Sequence, residues 1–353
     1  MRFAKTASAE LDWLNASIGF ADSYENLFSL VIRQSFQSPL LSDLQKSLSD
    51  GRSPLKALRR LVSFAELRFQ GLLHVFLDPI LLWDYQTWGH LNRWKKQHAE
   101  QAGKWFQSIA DIEALSSLAT LGALDQHSCF PTISGSDSSW AAQGLNHPLL
   151  PAGVCIENDL VIDGASSLII VTGSNMAGKS TLLRAIGLNT ALALAGGPVC
   201  AQQMQLPICL LRCSMRIQDS LQAGASYFHA ELERLALVLA NTQEQLPVLF
   251  LLDELLKGTN AAARTEGSIR ILNRLLERGA MGLIATHDTE LVSLENQSQF
   301  RIKNVHFTDV MVGEEMRFDY KLRQGPVKSS NALRLVDELL AGSFVPEKAS
   351  KKS

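Results

Sequence analysis

Gly173-Ser174-Asn175-Met176-Ala177-Gly178-Lys179-Ser180 fits the spacing G-x-x-x-x-G-K-[ST] in full. In such a segment the glycines let backbone N–H groups curl around phosphate oxygens. Lys179 is long enough to reach the β- and γ-phosphates, and the Ser180 hydroxyl can ligate Mg²⁺. This chemistry needs a strand before the loop and a helix after it, because a helix start adds favourable partial charge. Both flanks comply. Ser167 to Thr172 (SLIIVT) is a continuous apolar run, and a helical pattern begins at Ser180. The candidate nucleotide-binding residues are therefore Gly173, Ser174, Asn175, Met176, Ala177, Gly178, Lys179, Ser180 and Thr181, with an ordinary glycine-rich turn as the alternative.

Two further elements could act on a bound triphosphate. Leu249-Phe250-Leu251-Leu252-Asp253-Glu254 reads as a buried strand ending in two carboxylates. Asp253 at the strand end would hold Mg²⁺, mostly through its water shell, and Glu254 would orient or deprotonate the attacking water. A solvated acidic pair at a strand edge is the other reading. Ala285-Thr286-His287-Asp288 ends a third strand, and strand C-terminal ends are where ligands bind in open α/β sheets. His287 there can hydrogen-bond a γ-phosphate or the lytic water, although a lone histidine is often structural. Between these elements lies Asp219 to Phe228, with Gly224 and Ser226 just before a helical run, Ala230 to Ala240. Ser226 at that helix start could favour a phosphate or could simply cap the helix.

These residues need a scaffold that gathers strand ends along one edge. Val248 to Leu252 and Gly282 to Thr286 repeat the unbroken apolar character of Ser167 to Thr172, with helical stretches between them. Alternation of this kind predicts a parallel sheet with crossover helices. Farther on, Met316, Phe318, Tyr320 and Leu322 alternate with charged residues. That period of two predicts a strand paired through Val312-Gly313-Glu314 with Val305 to Val312. A last helix is expected over about Asn331 to Ala341, with a disordered tail over 346–353.

The front of the chain has another texture. From Leu11 to about Leu124 apolar residues recur at three- and four-residue spacing, as in Leu55, Leu58, Val62, Ala65 and Phe69, or Trp105, Ile109, Ile112 and Leu115. Gly51, Pro54 and Pro79 are expected to break this half into separate helices, with Ser53 before Pro54 as a cap signal. Residues 126–146, rich in Ser and Gly and without a period, read as a linker. The expected organisation is thus a helical domain over 1–125, a linker over 126–146 and an α/β domain over 147–345.

Composition narrows the function classes. Lys plus Arg is 33 against Asp plus Glu 35, so no strongly basic body is present to bind nucleic acid by charge alone. Five dispersed cysteines with no CxxC pair fit reduced thiols in a cytoplasmic protein. No stretch reads as a signal peptide or a membrane anchor.

TGSNMAGKST, DSLQAGASYFHAEL, LLDELLKGTN and ATHD, in this order, resemble the ATPase domain of MutS-type DNA mismatch-repair proteins. The resemblance runs from about Asn146-His147-Pro148 to Gly342. The Asn-Met inside the phosphate loop and the Asp-Glu-x-x-x-Gly-Thr run make it specific. It implies an α/β P-loop NTPase, ABC-like and of MutS type, preceded by an all-α core/lever domain. It implies ATP and Mg²⁺ as ligands, with Lys179, Glu254 and His287 serving hydrolysis and Ser180 and Asp253 holding the metal. Such ATPases pair head to tail. Ser226 would reach in trans to the γ-phosphate held by the other subunit, with Asn175 on the phosphate-loop side. Thr259 and Asn260 would then lie at the seam, and the helix from Asn331 would help hold a homodimer.

The implied role is ATP-gated clamping on DNA in mismatch repair or recombination, with modest affinity. Arg59-Arg60 and Arg93-Trp94-Lys95-Lys96 are the best local basic clusters, although each also reads as a solvated helix face. This chain departs from the family pattern at Ser174, Ala177 and Lys257, which replace a usual Pro, Gly and Arg. Near the expected adenine, Val154-Cys155-Ile156 supplies no aromatic ring, leaving Ile156 and Cys155 as weak base contacts. Phe64-Ala65-Glu66 matches the mismatch-reading Phe-x-Glu wedge in letters, but its helical surroundings assign Phe64 to the core. Two other readings compete: an ABC-type ATPase without direct DNA binding, which lacks its Leu-Ser-Gly-Gly-Gln signature here, and a nucleotide-switched interaction module.

Overall fold

The structure is a computed structural model and describes residues 18–66, 83–124, 127–135, 138–151, 154–174, 177–215, 227–242, 245–312 and 315–327. The chain divides into two compact units between Leu118 and Ala119.

In the first unit the described elements are helices: α1 (Ile18–Ile32), α2 (Pro39–Glu66) and α3 (Trp83–Leu124), the last continuing into the second unit. Phe28, Val31, Leu48, Leu55, Ala102, Trp105 and Ile109 form their common core, and Val62, Ala65 and Leu91 a smaller one. The open carbonyls at the end of α1 are met by Gln45, whose Nε2 donates to Val31, Ile32 and Gln34 carbonyl oxygens at 3.1, 3.2 and 2.8 Å.

Two expectations fail here. Helix α2 runs unbroken through Gly51 and Pro54. Gly51 marks a close approach: a Cβ there would lie 2.6 Å from Cδ2 of the Trp105 indole. Pro54 lacks the N–H that the helix would use. Its own carbonyl accepts from Trp94 Nε1 at 2.8 Å, and the buried stripe of Leu48, Leu55 and Val62 continues on both sides. Phe64, assigned above to the core, is 52% exposed and meets the Trp83 ring at 5.8 Å, because it lies off that stripe. Leu115 is also exposed, and Phe69 and Pro79 lie outside the described residues.

The second unit contains β1 (Ser128–Cys129), β2 (Thr132–Ser134), β3 (Trp140–Leu145), β4 (Asn158–Ile162), β5 (Ser167–Thr172), α4 (Lys179–Leu194), β6 (Val199–Cys200), β7 (Gln203–Pro207) and β8 (Leu210–Ser214). These are followed by α5 (Tyr227–Asn241), β9 (Val248–Asp253), α6 (Ala261–Glu277), β10 (Met281–Ala285), short α7 (Thr289–Val292) and α8 (Leu294–Gln297), β11 (Arg301–His306), β12 (Asp309–Val312), β13 (Glu315–Phe318) and β14 (Arg323–Gln324).

The main sheet has the order β14-β11-β5-β10-β9-β8. All its pairings are parallel except β11 with β14. Every residue of β5 is buried, and its alternate side chains serve two cores. Ile169 and Val171 join Leu249, Leu251 and Leu283 with Leu183 and Ile186 of α4. Leu168 and Ile170 join Phe250, Leu252 and Ile284 with Leu272, Leu275 and Leu276 of α6. A strand covered on both faces has no polar side to show, which is why these runs lack alternation.

Within the expected linker over 126–146 the described residues include the strands β1, β2 and β3. β3 pairs antiparallel with β4 and β7, in a four-stranded sheet of order β2-β7-β3-β4. Trp140 is fully buried, its Nε1 donating to Thr190 Oγ1 at 3.0 Å. Small residues between Trp140 and Leu145 hide the inward pattern from a hydropathy reading. The terminal hairpin forms as β12 and β13, with Val312 opposite Glu315. Val305 belongs to β11 and pairs with β5, however, so the hairpin is shorter than expected. The helix expected from Asn331 and the tail lie outside the described residues. Among the described residues no helix is long and apolar enough to cross a membrane.

Candidate functional site

The C-terminal ends of β5, β9 and β10 lie side by side, and the loops that leave them meet. After β5 the chain turns at Gly173 (φ +140°) and enters α4 through Gly178 (φ +107°), both in the region that favours glycine. Space is equally restrictive: a Cβ on Gly173 would stand 2.7 Å from the Phe307 carbonyl oxygen. Lys179, the first residue of α4, is buried, and its Nζ donates to the carbonyls of Gly173 at 2.7 Å and Ser174 at 2.9 Å. Burial pushes its pKa down, while Glu254 and Asp253 pull it back up and Lys257 adds to the lowering. Ala177 is buried; Asn175 and Met176 lie outside the described residues.

Ser180 Oγ donates to Asp253 Oδ2 at 2.7 Å, which joins the phosphate-loop helix to the end of β9. Thr181, the next residue of α4, is exposed. Glu254 follows in a left-handed conformation (φ +54°), fixed by its N–H donating to Ala285 O at 2.9 Å. Its carboxylate is clamped from two sides, with Lys257 Nζ 2.7 Å from Oε2 and His287 Nδ1 3.0 Å from Oε1. Burial alone would push the Glu254 carboxyl up; the hydrogen bonds and charges of Lys257 and His287 outweigh it and hold the group below the usual carboxylate range. Glu254 is therefore an anion near neutral pH, placed beside the Ser180–Asp253 pair.

Asp288 has a structural task. It caps α7 through Glu290 N at 3.0 Å and accepts from Thr265 Oγ1. Asn260 likewise caps α6, accepting from Ala263 N at 2.9 Å, and Thr259 N–H donates to Leu256 O at 3.3 Å. Ser226 lies outside the described residues; α5 begins at the next position.

Two further residues line the site itself. Lys257, which in the sequence stands only as a substitute for the family's Arg, grips Glu254. The alternation of residues 316–322 places Tyr320 within a strand. It stands instead beyond the end of β13 with φ +51°, and its ring carbon Cδ1 would be 3.3 Å from a Cβ on Gly178. Asn158 ties this turn to the segment containing Ile156. Its Nδ2 donates to Tyr320 O at 3.0 Å and to Ile156 O at 3.1 Å, while its Oδ1 accepts from Leu322 N at 2.7 Å. An aromatic ring therefore flanks the phosphate loop on the side where Ile156 lies half-exposed. Cys155 is engaged by the His147 N–H at 3.4 Å. The alternation of Phe318 and Tyr320 was visible in the sequence, but its meeting with Gly178 depends on a contact 142 positions away.

A parallel sheet, a glycine-cornered loop at a helix start, a buried lysine and an Asp on the adjoining strand define a P-loop nucleotide-binding fold. The family profile described as MutS domain V matches residues 169–352, and the chain belongs to the MutS family. The DNA mismatch repair protein MutS of Thermotoga petrophila is 31% identical over 243 residues, covering 68% of this chain and 30% of that protein. Its Thermotoga maritima counterpart is 30% identical with the same coverage. The protein of the same description from Listeria monocytogenes serotype 4b is 28% identical over 276 residues, 76% of this chain and 31% of the relative. The matched region thus spans about 30% of the length of these relatives.

Proposed function

We propose that the chain binds ATP with Mg²⁺ and hydrolyses it, and that it works as a homodimer acting on DNA in mismatch repair or recombination. The observation that carries the hydrolysis reading is the Glu254 carboxylate, held charged between Lys257 and His287 next to the Ser180–Asp253 hydrogen bond. A P-loop protein that only stores nucleotide has no need of a clamped anion there.

The donor set suits a magnesium nucleotide. Ser180 and Asp253 are the hydroxyl and carboxylate that hard oxygen-liganded cations take, and Ser174 Oγ is buried with no hydrogen-bond partner among the described residues. A Mg²⁺ held by Ser180 and Asp253 would neutralise charge on the terminal phosphates. The remaining work falls to side chains. Lys179 exchanges the Gly173 and Ser174 carbonyls for phosphate oxygens. Glu254 accepts a hydrogen bond, and then the proton, from the attacking water. His287 and Lys257 keep that carboxylate aimed and ionised. The Tyr320 ring and Ile156 border the base. Ser226 of one copy completes the site of the other, with Asn175 opposite it and Thr259 and Asn260 along the seam.

The helical residues 1–125 act as a core and lever. Of the basic clusters suggested for DNA, Arg59 is already paired with Asp22 at 2.6 Å and Glu25 at 2.8 Å. Lys56 and Arg60, which line a cavity of about 410 Å³ together with Arg59, Ser63 and Phe64, are the better phosphate contacts.

The test is steady-state ATP turnover by the purified chain with no DNA, matched duplex, mismatched duplex and a branched junction, at two salt concentrations. Stimulation by one DNA form is expected. Turnover indifferent to all four would remove the DNA role and leave a partner-driven ATPase.

A further inference from the structure

Helix α5 buries Glu231 where its pattern calls for an apolar residue. Leu235 and Val238, four and seven positions on, belong to the core under the sheet, and Glu231 shares their face at 2% exposure. A carboxylate in such a place is costly unless donors meet it. Burial pushes its pKa up, while the Leu256 and Lys257 amides and the Lys257 charge pull it back down. Its Oε1 accepts the Leu256 N–H at 2.7 Å, and Oε2 is buried with no hydrogen-bond partner among the described residues.

The position of Leu256 gives this bond its meaning. Glu254 and Leu256 both adopt left-handed backbone (φ +54° and +56°), an arrangement that non-glycine residues keep only when their surroundings impose it. One end of the segment is pinned where Glu254 N–H donates to Ala285 O. The Glu231 bond pins the other, between Glu254 and the Lys257 that grips it.

We infer that Glu231 is a positioning residue for hydrolysis, bracing the Glu254–Lys257 turn from helix α5 through its hydrogen bond to the Leu256 amide. The inference rests on the ATPase reading for its consequence and on geometry alone for the brace. Since α5 starts one residue after Ser226, the same bond links the helix that follows the trans-acting serine to its own subunit's water-activating carboxylate.

The experiment compares the full chain with Glu231→Ala and Glu231→Gln, reading deuterium uptake of the 254–258 segment, kcat and KM for ATP. Gln keeps an acceptor oxygen of the same reach. The expected result for Glu231→Ala is faster exchange over 254–258 and a kcat lower by about tenfold with KM within about twofold, since small misplacements of reacting groups cost rate. Glu231→Gln restores protection and most of kcat. Unchanged exchange in Glu231→Ala overturns the brace. Loss of kcat and KM together in both variants overturns it in favour of a general packing role. A parent chain that binds ATP without turnover refutes the ATPase reading instead, and the exchange rates then decide the brace alone.

Discussion

The loops that leave β5 and β9 are joined through the Ser180–Asp253 bond between helix α4 and the end of β9, yet they are held in shape by different means. Among the described residues of the phosphate loop the positive φ angles fall at Gly173 and Gly178, residues for which such angles carry little penalty. The acidic loop takes them at Glu254 and Leu256, which resist them. At Gly173 and Gly178 the backbone shape is a property of residue type. In the acidic loop it is imposed by the Ala285 carbonyl, the Glu231 carboxylate and His287 from outside the loop, and by Lys257 from within it. One loop turns where glycine makes turning easy, and the other is a strained segment whose geometry depends on two other parts of the fold, helix α5 and the end of β10.

Four perturbations would break or sharpen this contrast. Lys179→Ala removes the charge from the phosphate loop itself, and turnover should fall by at least about 10²-fold, as when a transition-state donor is lost; a steady-state assay reads it. Tyr320→Ala leaves both loops intact and removes the ring beside Gly178. ATP should bind about tenfold more weakly, in line with the worth of base–aromatic stacking, as titration calorimetry would report. Lys257→Ala loosens the imposed loop and should lower kcat by about fivefold. It also carries a pH signature. Lys257 and His287 hold the Glu254 carboxyl below its ordinary range against burial, so its removal raises that pKa and moves the acid limb of the rate profile to higher pH. An acid limb that stays in place would show that Glu254 is not the titrating group. Gly51→Ala, by contrast, should leave nucleotide affinity untouched. It would cost about 1–3 kcal/mol of helical-unit stability in urea denaturation, because the new methyl meets the Trp105 ring.

The same contrast explains what could be read from the residues. The phosphate loop, its flanking strand and helix, and Asp253 with Glu254 were legible because local type and spacing determine them. Strands β5, β9 and β10 were legible because burial on both faces leaves an unbroken apolar run. Lys257, Glu231 and Tyr320 were not. Each acts through a contact made by the folded chain, and nothing in the spacing of Tyr320 and Gly178 announces that they meet. The strand over Trp140 to Leu145 was missed because Ala141, Ala142 and Gly144 blur its alternation, and its partners β4 and β7 supply the pairing. Helix α2 was expected to break because Gly51 and Pro54 are breakers by type; tertiary packing against Trp105 and Trp94 overrides them.

On this account Glu254 activates the attacking water and is not needed for ATP to bind. Glu254→Gln tests it most directly, by measuring ATP binding and single-turnover hydrolysis in the same preparation. ATP affinity within about threefold of the parent and hydrolysis slower by about 10²–10⁴-fold is the predicted result, the range that a positioned general base contributes. Hydrolysis at the parent rate would contradict the account and remove Glu254 from the reaction.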